Sequence, residues 1–221
     1  EAALPASAIV RRSSFLKRNP ALTPEEFGRH YETVHGPLAA GLAGFRKYTL
    51  RYVQNHVEQT GGIDMPFDGI TMTTQVARDD YSRGFFHEPD YEKIKEDELY
   101  LFDMGRTVSV LSRIVGGPPG PRQGRKAVFL AGAGWQPPPI LAMKGLLAHS
   151  LARNDPGSAS ALGFRGAAFD HPFTVEAWFS TAEAREETLQ QASKLFGDGT
   201  VALPVREILI FGPELPWRTG P

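Results

Sequence analysis

Among the histidines and tyrosines of the first 56 residues, four are the leading candidates for proton transfer or substrate binding: Tyr31, His35, Tyr48 and His56. Imidazole titrates near neutral pH, so a histidine can act as general acid or base, and a tyrosine can hydrogen-bond a substrate carbonyl or phenol. Each has a structural alternative. His35 could bond to the backbone at a helix end, His56 could be exposed at a strand end, and the tyrosines could pack in the core. Residue type alone leaves these alternatives open.

The helix expected to carry His35 has a clear start. Thr23 predicts the N-cap, Pro24 fits the first helical position, and Glu26 completes a capping box. At about 100° per residue, one narrow apolar stripe is formed by Phe27, Tyr31, Val34 and Leu38. His35 lies on the shoulder of this stripe. Gly36-Pro37 disturbs the helix just after it, because a proline has no amide hydrogen to donate.

The β-rich segment 45–57 is predicted to be a strand that brings further groups towards His35. Its alternation places Tyr48, Tyr52 and His56 on one face. A helix covering that face would form a shared pocket with His35. Tyr48 and His56 would lie about 26 Å apart along a straight strand, so they could bracket a bulky substrate only if the strand bends.

Two further residues are candidates for substrate binding. Asp68 shares a strand face with Ile70 and Met72, so we expect it to be partly buried; its alternative role is in an Asp68-Gly69 turn. Phe86 could line or gate a pocket, or pack a short helix against the sheet. Three acidic residues occur close together later in the chain: Asp97, Glu98 and Asp103. They are expected to form a charged helix face and not a metal site, because no histidine lies at ligand spacing beside them.

The order of the predicted elements is βαββαβ, followed by a fainter second copy. Strands are expected at 7–15, 45–57, 67–76 and 106–115, with the His35 helix and a partly helical 79–101 between them. A Gly- and Pro-rich linker, 116–126, leads to a strand at 127–131, a helix carrying apolar residues from 140 to 151, strands at 163–169 and 173–179, a helix at 182–195 and a strand at 201–211. The sequence thus predicts an α+β protein with two tandem ferredoxin-like units.

An open four-stranded sheet needs a partner for its uncovered face. We therefore expect the domains 1–115 and 127–221 to form a pseudo-dimer, a barrel closed within one chain. The second unit lacks the His-Gly-Pro run and offers His149 and His171 in other contexts. The site is expected in the first unit alone, and the second is expected to be mainly structural.

The run E-E-F-x-x-H-Y-x-x-V-H-G-P-L, ending at Leu38, resembles the EthD family. The family pattern has an aromatic at Tyr31 and then His-Gly-Pro-Leu from His35 to Leu38. It also has an Asp-Gly strand start, matched by Asp68-Gly69, and an acidic segment, matched by Asp97, Glu98, Phe102 and Asp103. The resemblance covers about the first half of the chain. It implies a dimeric α+β barrel, a homodimer as one assembly, and a small-molecule enzyme without a cofactor.

Composition narrows the function classes. The 221 residues are 41% hydrophobic and 22% charged, with a formal net charge of -1, so no basic footprint for nucleic acid is present. The apolar runs are too short to span a bilayer. The absence of cysteine removes thiolate nucleophiles and Cys-based metal sites, and it is compatible with a cytoplasmic location. No phosphate loop or dinucleotide fingerprint occurs.

These observations favour a cofactor-independent lyase, a decarboxylase or dehydratase, without a bound metal. Its predicted catalytic residues are His35 and His56, with Tyr31, Tyr48, Asp68 and Phe86 binding substrate. The resemblance implies a phenolic, aromatic or polyketide-like compound as substrate. Two alternatives stay open. One is a cofactor-free monooxygenase of such compounds, and the other is a non-catalytic binding or stress protein that sequesters an apolar ligand.

Overall fold

The computed structural model describes residues 9–59, 64–76, 85–117, 123–138, 142–158 and 169–212. Within these residues, antiparallel strands close into a barrel in the order β1-β3-β2-β8-β5-β7-β6-β4. The strands are β1 Ile9–Leu16, β2 Thr49–Val57, β3 Gly69–Val76, β4 Val108–Gly116, β5 Arg125–Leu130, β6 Leu146–Asp155, β7 Phe173–Phe179 and β8 Val201–Phe211. Closure leaves no free sheet edge among them.

Helices cover the outside of the barrel on both halves. Four follow one another between β1 and β2: α1 Pro24–His30, a π-helix Tyr31–His35, α2 Gly36–Gly41 and α3 Ala43–Tyr48. A short 3-10 helix Phe85–His87 and α4 Tyr91–Leu101 precede β4, and α5 Ala182–Gln190 and α6 Ala192–Phe196 precede β8. The predicted Thr23 capping box is confirmed at the start of α1. No helix among the described residues is long and apolar enough to cross a membrane.

Each half contributes four neighbouring strands in an equivalent order. The first half contributes β4-β1-β3-β2 and the second β8-β5-β7-β6, and the pairs β2–β8 and β4–β6 join them. The predicted βαββαβ order of the first half and the α+β class are confirmed. The interval between β4 and β5 is shorter than the predicted linker, because β4 runs to Gly116 and β5 begins at Arg125.

One predicted element is wrong, and another begins later than predicted. The segment from 146 to 151, predicted as helix, lies in β6, where pairing with β4 and β7 overrides the helical spacing of its leucines. Residues 139–141, the start of that predicted helix, lie outside the described residues, as does the predicted strand at 163–169 up to residue 168. The segment 45–48, predicted as strand, ends α3 instead, and β2 begins at Thr49.

The barrel interior combines an apolar cluster with a buried ion network. Around Phe15, Val53 and Ile70, apolar side chains from both halves pack together. Lys126 Nζ donates to Asn55 Oδ1 and to Glu176 Oε2, both at 2.7 Å, and Arg11 also pairs with Glu176. Although burial opposes it, the charges of Lys126 and Arg11 lower the pKa of Glu176 to about 2. These contacts link strands of the first half to strands of the second across the barrel interior.

Candidate active site

A cavity lies between the helices of the first half and the outer sheet face beneath them. Its volume is about 60 Å³, room for a few water molecules. The sheet contributes mostly polar side chains, joined by Thr107 just before β4: Arg12, Ser14, Leu16, Tyr52, Thr71, Thr73 and Gln75. The helical side contributes aromatic and apolar groups with two titratable ones: His35, Ala39, Phe45, Phe85, Ile94, Glu98 and Phe102.

His35 enters this cavity from the last residue of the π-helix. The wide turn is closed by the Gly36 amide, which donates to the Tyr31 carbonyl five residues earlier. Gly36 allows a close approach to the sheet, because a Cβ at this position would meet Gln54 Nε2 and Ile210 Cδ1 at 3.0 Å, so those side chains would have to shift. The local break predicted at Gly36-Pro37 thus takes the form of a π-helix, which places a buried His35 against the sheet.

Asp97 of α4 fixes the orientation of the His35 ring. His35 Nδ1 lies 2.7 Å from Asp97 Oδ2, and His30 Nε2 lies 2.6 Å from Asp97 Oδ1. Partial burial opposes ionisation, but the hydrogen bonds from His35 and His30 lower the pKa of Asp97. A carboxylate only accepts hydrogen bonds, so Nδ1 carries the proton in neutral His35. Nε2 is left to exchange a proton with a molecule in the cavity.

Glu98, the next residue of α4, lines the same cavity. Burial raises the pKa of this carboxyl to about 7, with Arg12 opposing the shift and Asp97 adding to it. A large share of Glu98 therefore stays protonated at neutral pH. The sequence places Asp97 and Glu98 on a charged helix face. It does not show that these neighbours orient a histidine and face a cavity.

The buried phenols lie behind and beside His35. Tyr31 Oη lies 2.6 Å from Thr71 Oγ1, and Tyr52 Oη accepts from Gln54 Nε2 at 2.9 Å. Burial raises the pKa of both phenols, so both are neutral at physiological pH. Tyr52 lines the cavity directly, whereas Tyr31 reaches its wall through Thr71.

His56 is buried outside the lining of the cavity. Its ring centroid lies 4.9 Å from that of Tyr31, and Nε2 lies 3.3 Å from Gln54 Oε1. Burial, followed by the positive charge of Arg206, lowers the pKa of His56 to about 4. His56 is thus neutral at pH 7 and joined to the site through Tyr31 and Gln54. Its predicted catalytic role stays a prediction.

The structure places two of the other predicted site residues, Tyr48 and Asp68, away from the cavity lining. Tyr48 ends α3 and donates to Glu88 Oε1 at 3.1 Å, so the expectation that it shares a strand face with His56 is wrong. Asp68 is buried in ion pairs with Lys17 and Arg18, both at 3.2 Å, where it ties the end of β1 to the start of β3. Phe86 lies in the 3-10 helix, and its side chain lies outside the described part of the structure.

The site holds a hydrogen-bonded cluster of His30, His35 and Asp97, which does not have the arrangement of a metal centre. Among the described residues, no three histidine, aspartate or glutamate side chains are placed to hold a metal ion, and this includes His30, His35 and Asp97. The arrangement presents an oriented imidazole, a carboxyl that is protonated in part, and aromatic walls. Chemically, it is equipped to take a proton from a carbon or oxygen acid and to return one.

Comparison with known proteins identifies the family resemblance and the fold. Residues 19–105 match the EthD domain, a range that includes both His35 and Asp97. The resemblance seen in the sequence is thus confirmed for this part of the chain. The comparison with curated proteins gives no match.

Solved structures share the fold over nearly the whole chain. A candidate monooxygenase from Fusobacterium nucleatum subsp. nucleatum has a TM-score of 0.52 at 6% identity, covering 95% of this chain and 97% of that one. A candidate monooxygenase from Lactobacillus acidophilus NCFM also has a TM-score of 0.52, at 7% identity, covering 95% and 98%. An anthrone oxidase-like protein has a TM-score of 0.50 at 11% identity, covering 97% and 98%. Likeness at such identities establishes the fold alone.

Proposed function

We propose that the protein is a cofactor-independent lyase that acts by proton transfer in the cavity beneath the π-helix. The observation that carries this proposal is the His35–Asp97 pair, in which the carboxylate orients the imidazole while the ring lines the cavity. An oriented imidazole can take a proton from the carbon next to a carbonyl, or protonate a carbanion left by loss of carbon dioxide. Either step needs only groups that the chain supplies.

The walls of the cavity support an aromatic or polyketide-like substrate. Phe45, Phe85 and Phe102 face the polar sheet surface, so a planar compound could stack on the rings while its hydroxyl groups meet Thr71 and Thr73. Cavities that enclose whole ligands typically measure about 300–1,000 Å³. The volume of about 60 Å³ is therefore that of a closed site, and its walls must separate to admit such a substrate.

The two halves of the chain form a pseudo-dimer in this proposal. The equivalent strand orders β4-β1-β3-β2 and β8-β5-β7-β6 support it, since each half covers the open sheet face of the other. The domains 1–115 and 127–221 act as one body with a single site in the first. The predicted homodimer would then be an assembly of two complete barrels.

A second candidate function is a cofactor-free monooxygenase, in which the substrate supplies the electrons to oxygen. Structures that share the fold are described as candidate monooxygenases and as an anthrone oxidase-like protein. The His35–Asp97 pair would serve this chemistry as well, by removing a proton from a phenol or an activated carbon before oxygen reacts.

Turnover of a substrate panel under controlled gas tests the proposal. Purified protein would be incubated anaerobically, with chelator and no added cofactor, with phenolic acids and polyketide-like hydroxy ketones. Release of carbon dioxide or water, with deuterium from heavy water entering the decarboxylated carbon, is expected. A strict need for oxygen would establish the monooxygenase instead. Tight binding without turnover would identify a binding protein, and a need for added metal would exclude both enzymes.

A further inference from the structure

We propose that Glu98 is a second catalytic residue, the proton donor of the cavity, and that with His35 it eliminates water from a β-hydroxy carbonyl compound. This inference rests on the proposed function and narrows it, from lyases in general to dehydratases. It starts from the placement of two titratable groups on one small cavity. His35 comes from the π-helix and Glu98 from α4, and both line the same space.

The roles of the two groups follow from their partners. Asp97 holds Nδ1 of His35, which leaves Nε2 as a base. The groups that act on Glu98 are Arg12 on β1, which favours its ionised form, and Asp97 on α4, which opposes it. Burial is the largest influence, and the pKa of about 7 keeps much of the carboxyl protonated at neutral pH. Asp97 thus supports proton removal by His35, and Glu98, the next residue of α4, donates the proton to the leaving group.

Tyrosines also surround this carboxyl, and neither supplies a competing charge. Tyr52 on β2 and Tyr91 at the start of α4 both have raised pKa values, chiefly through burial, so they stay neutral around pH 7. The phenols near Glu98 therefore add no charge to the cavity near neutral pH. A neutral acid beside an available base is the combination that elimination of water requires.

The proposed step balances within the substrate and these two side chains. Nε2 of His35 takes the proton from the carbon next to the carbonyl. The released electron pair forms the carbon–carbon double bond, while the carbon–oxygen bond of the β-hydroxyl breaks. Glu98 gives its proton to the departing oxygen, which leaves as water. Afterwards the imidazolium loses a proton and the Glu98 carboxylate gains one, so no oxidant or reductant is consumed.

The experiment compares two ketones in heavy water. One is a polyketide-like β-hydroxy ketone that can lose water, and the other is the same ketone without the β-hydroxyl. With the second compound, deuterium entering next to the carbonyl reports proton removal by His35 alone. We expect Glu98→Gln to retain this exchange within a few-fold while losing about 100-fold or more in elimination of water. Glu98→Asp, which keeps a carboxyl, should restore part of the elimination.

The control variant is Glu96→Gln, which changes an exposed glutamate on the same helix and should leave both rates unchanged. A pH profile adds a readout that a structural role would not give. Elimination by the wild type should fall as pH rises through about 7, because Glu98 loses its proton, and the residual rate of Glu98→Gln should lack that fall.

The outcomes separate the inference from the function on which it rests. A wild type that exchanges no deuterium into either ketone contradicts the proposed function, and the inference fails with it. Exchange without any loss of water by the wild type overturns the inference alone. So does a Glu98→Gln variant that eliminates water at the wild-type rate.

Discussion

In the first half of the barrel, the sheet surface beneath the helices presents Arg12, Ser14, Thr73 and Gln75, all buried. In the second half, the surface beneath α5 and α6 is apolar and packed: Ala127, Phe129, Val175, Ala177, Phe179, Ala184, Ala192 and Phe196. The strand orders are equivalent, so the fold does not dictate this difference. Burying hydroxyl and charged groups is costly unless they find partners, whereas apolar groups stabilise the fold by burial.

The outer sheet faces of the two halves have different roles: one packs against helices to build a core, and the other lines a cavity. The second half uses its outer face to build a core, as in the stacking of Phe129 on Phe196 with ring centroids 4.5 Å apart. The first half keeps polar and titratable groups in the lining of a cavity, an arrangement that typically costs stability. From this we expect substitutions in the two halves to affect different properties.

The strongest effect that we expect is on stability and lies in the second half. Phe129→Ala removes a fully buried ring from the core beneath α5 and α6, and should lower the free energy of unfolding by about 3–5 kcal/mol. Denaturant unfolding measures this loss. Turnover per folded molecule should stay close to that of the wild type. A large loss of turnover with intact stability would place part of the site in the second half.

The next effect is on turnover and lies in the first half. His35→Ala should lower turnover by about 100-fold or more, the usual scale for a lost general acid or base. The fold should change little, because His30 remains as a partner of Asp97. His149→Ala, on β6 of the second half, is the control and should retain wild-type turnover. Equal losses in both variants would indicate two sites or a structural role for both histidines.

The weakest effect is on the pH dependence of stability. His56 is kept neutral, with its pKa lowered from 6.5 to about 4, so the unfolded chain binds a proton that the native state does not. The stability that this group contributes is present above pH 6.5 and lost as pH falls towards 4. His56→Gln should reduce this loss in unfolding measured across that range. Unchanged acid sensitivity in the variant would show that His56 titrates normally.

Much of the first half follows from local signals. The Thr23 capping box and the apolar stripe predict α1. The match of the His-Gly-Pro run to the EthD pattern singles out His35. The predictions that are wrong concern segments whose secondary structure depends on tertiary contacts. Tyr48 ends a helix with Arg46 and Lys47 in its last turn, where basic residues are favourable, although its sequence also suits a strand.

The partner of His35 cannot be predicted from spacing. Asp97 is 62 residues away, and only the packing of α4 against the π-helix brings its carboxylate to the imidazole. The acidic segment that contains Asp97 matches the EthD pattern, and this match is the one signal that the sequence offers. Tertiary contacts also decide the structure of a segment in the second half. The leucines after residue 145 have helical spacing, but pairing with β4 and β7 places them in the strand β6.

One site, centred on His35, is expected to serve the whole chain. Nuclear magnetic resonance of protein with labelled histidines tests this in a single titration with a non-reacting phenolic ketone. All six imidazoles report at once, including those of the second half, His149 and His171. We expect the largest ligand-induced shift at His35 and essentially none at His149 or His171. The largest shift at either of those two would contradict a single site in the first half.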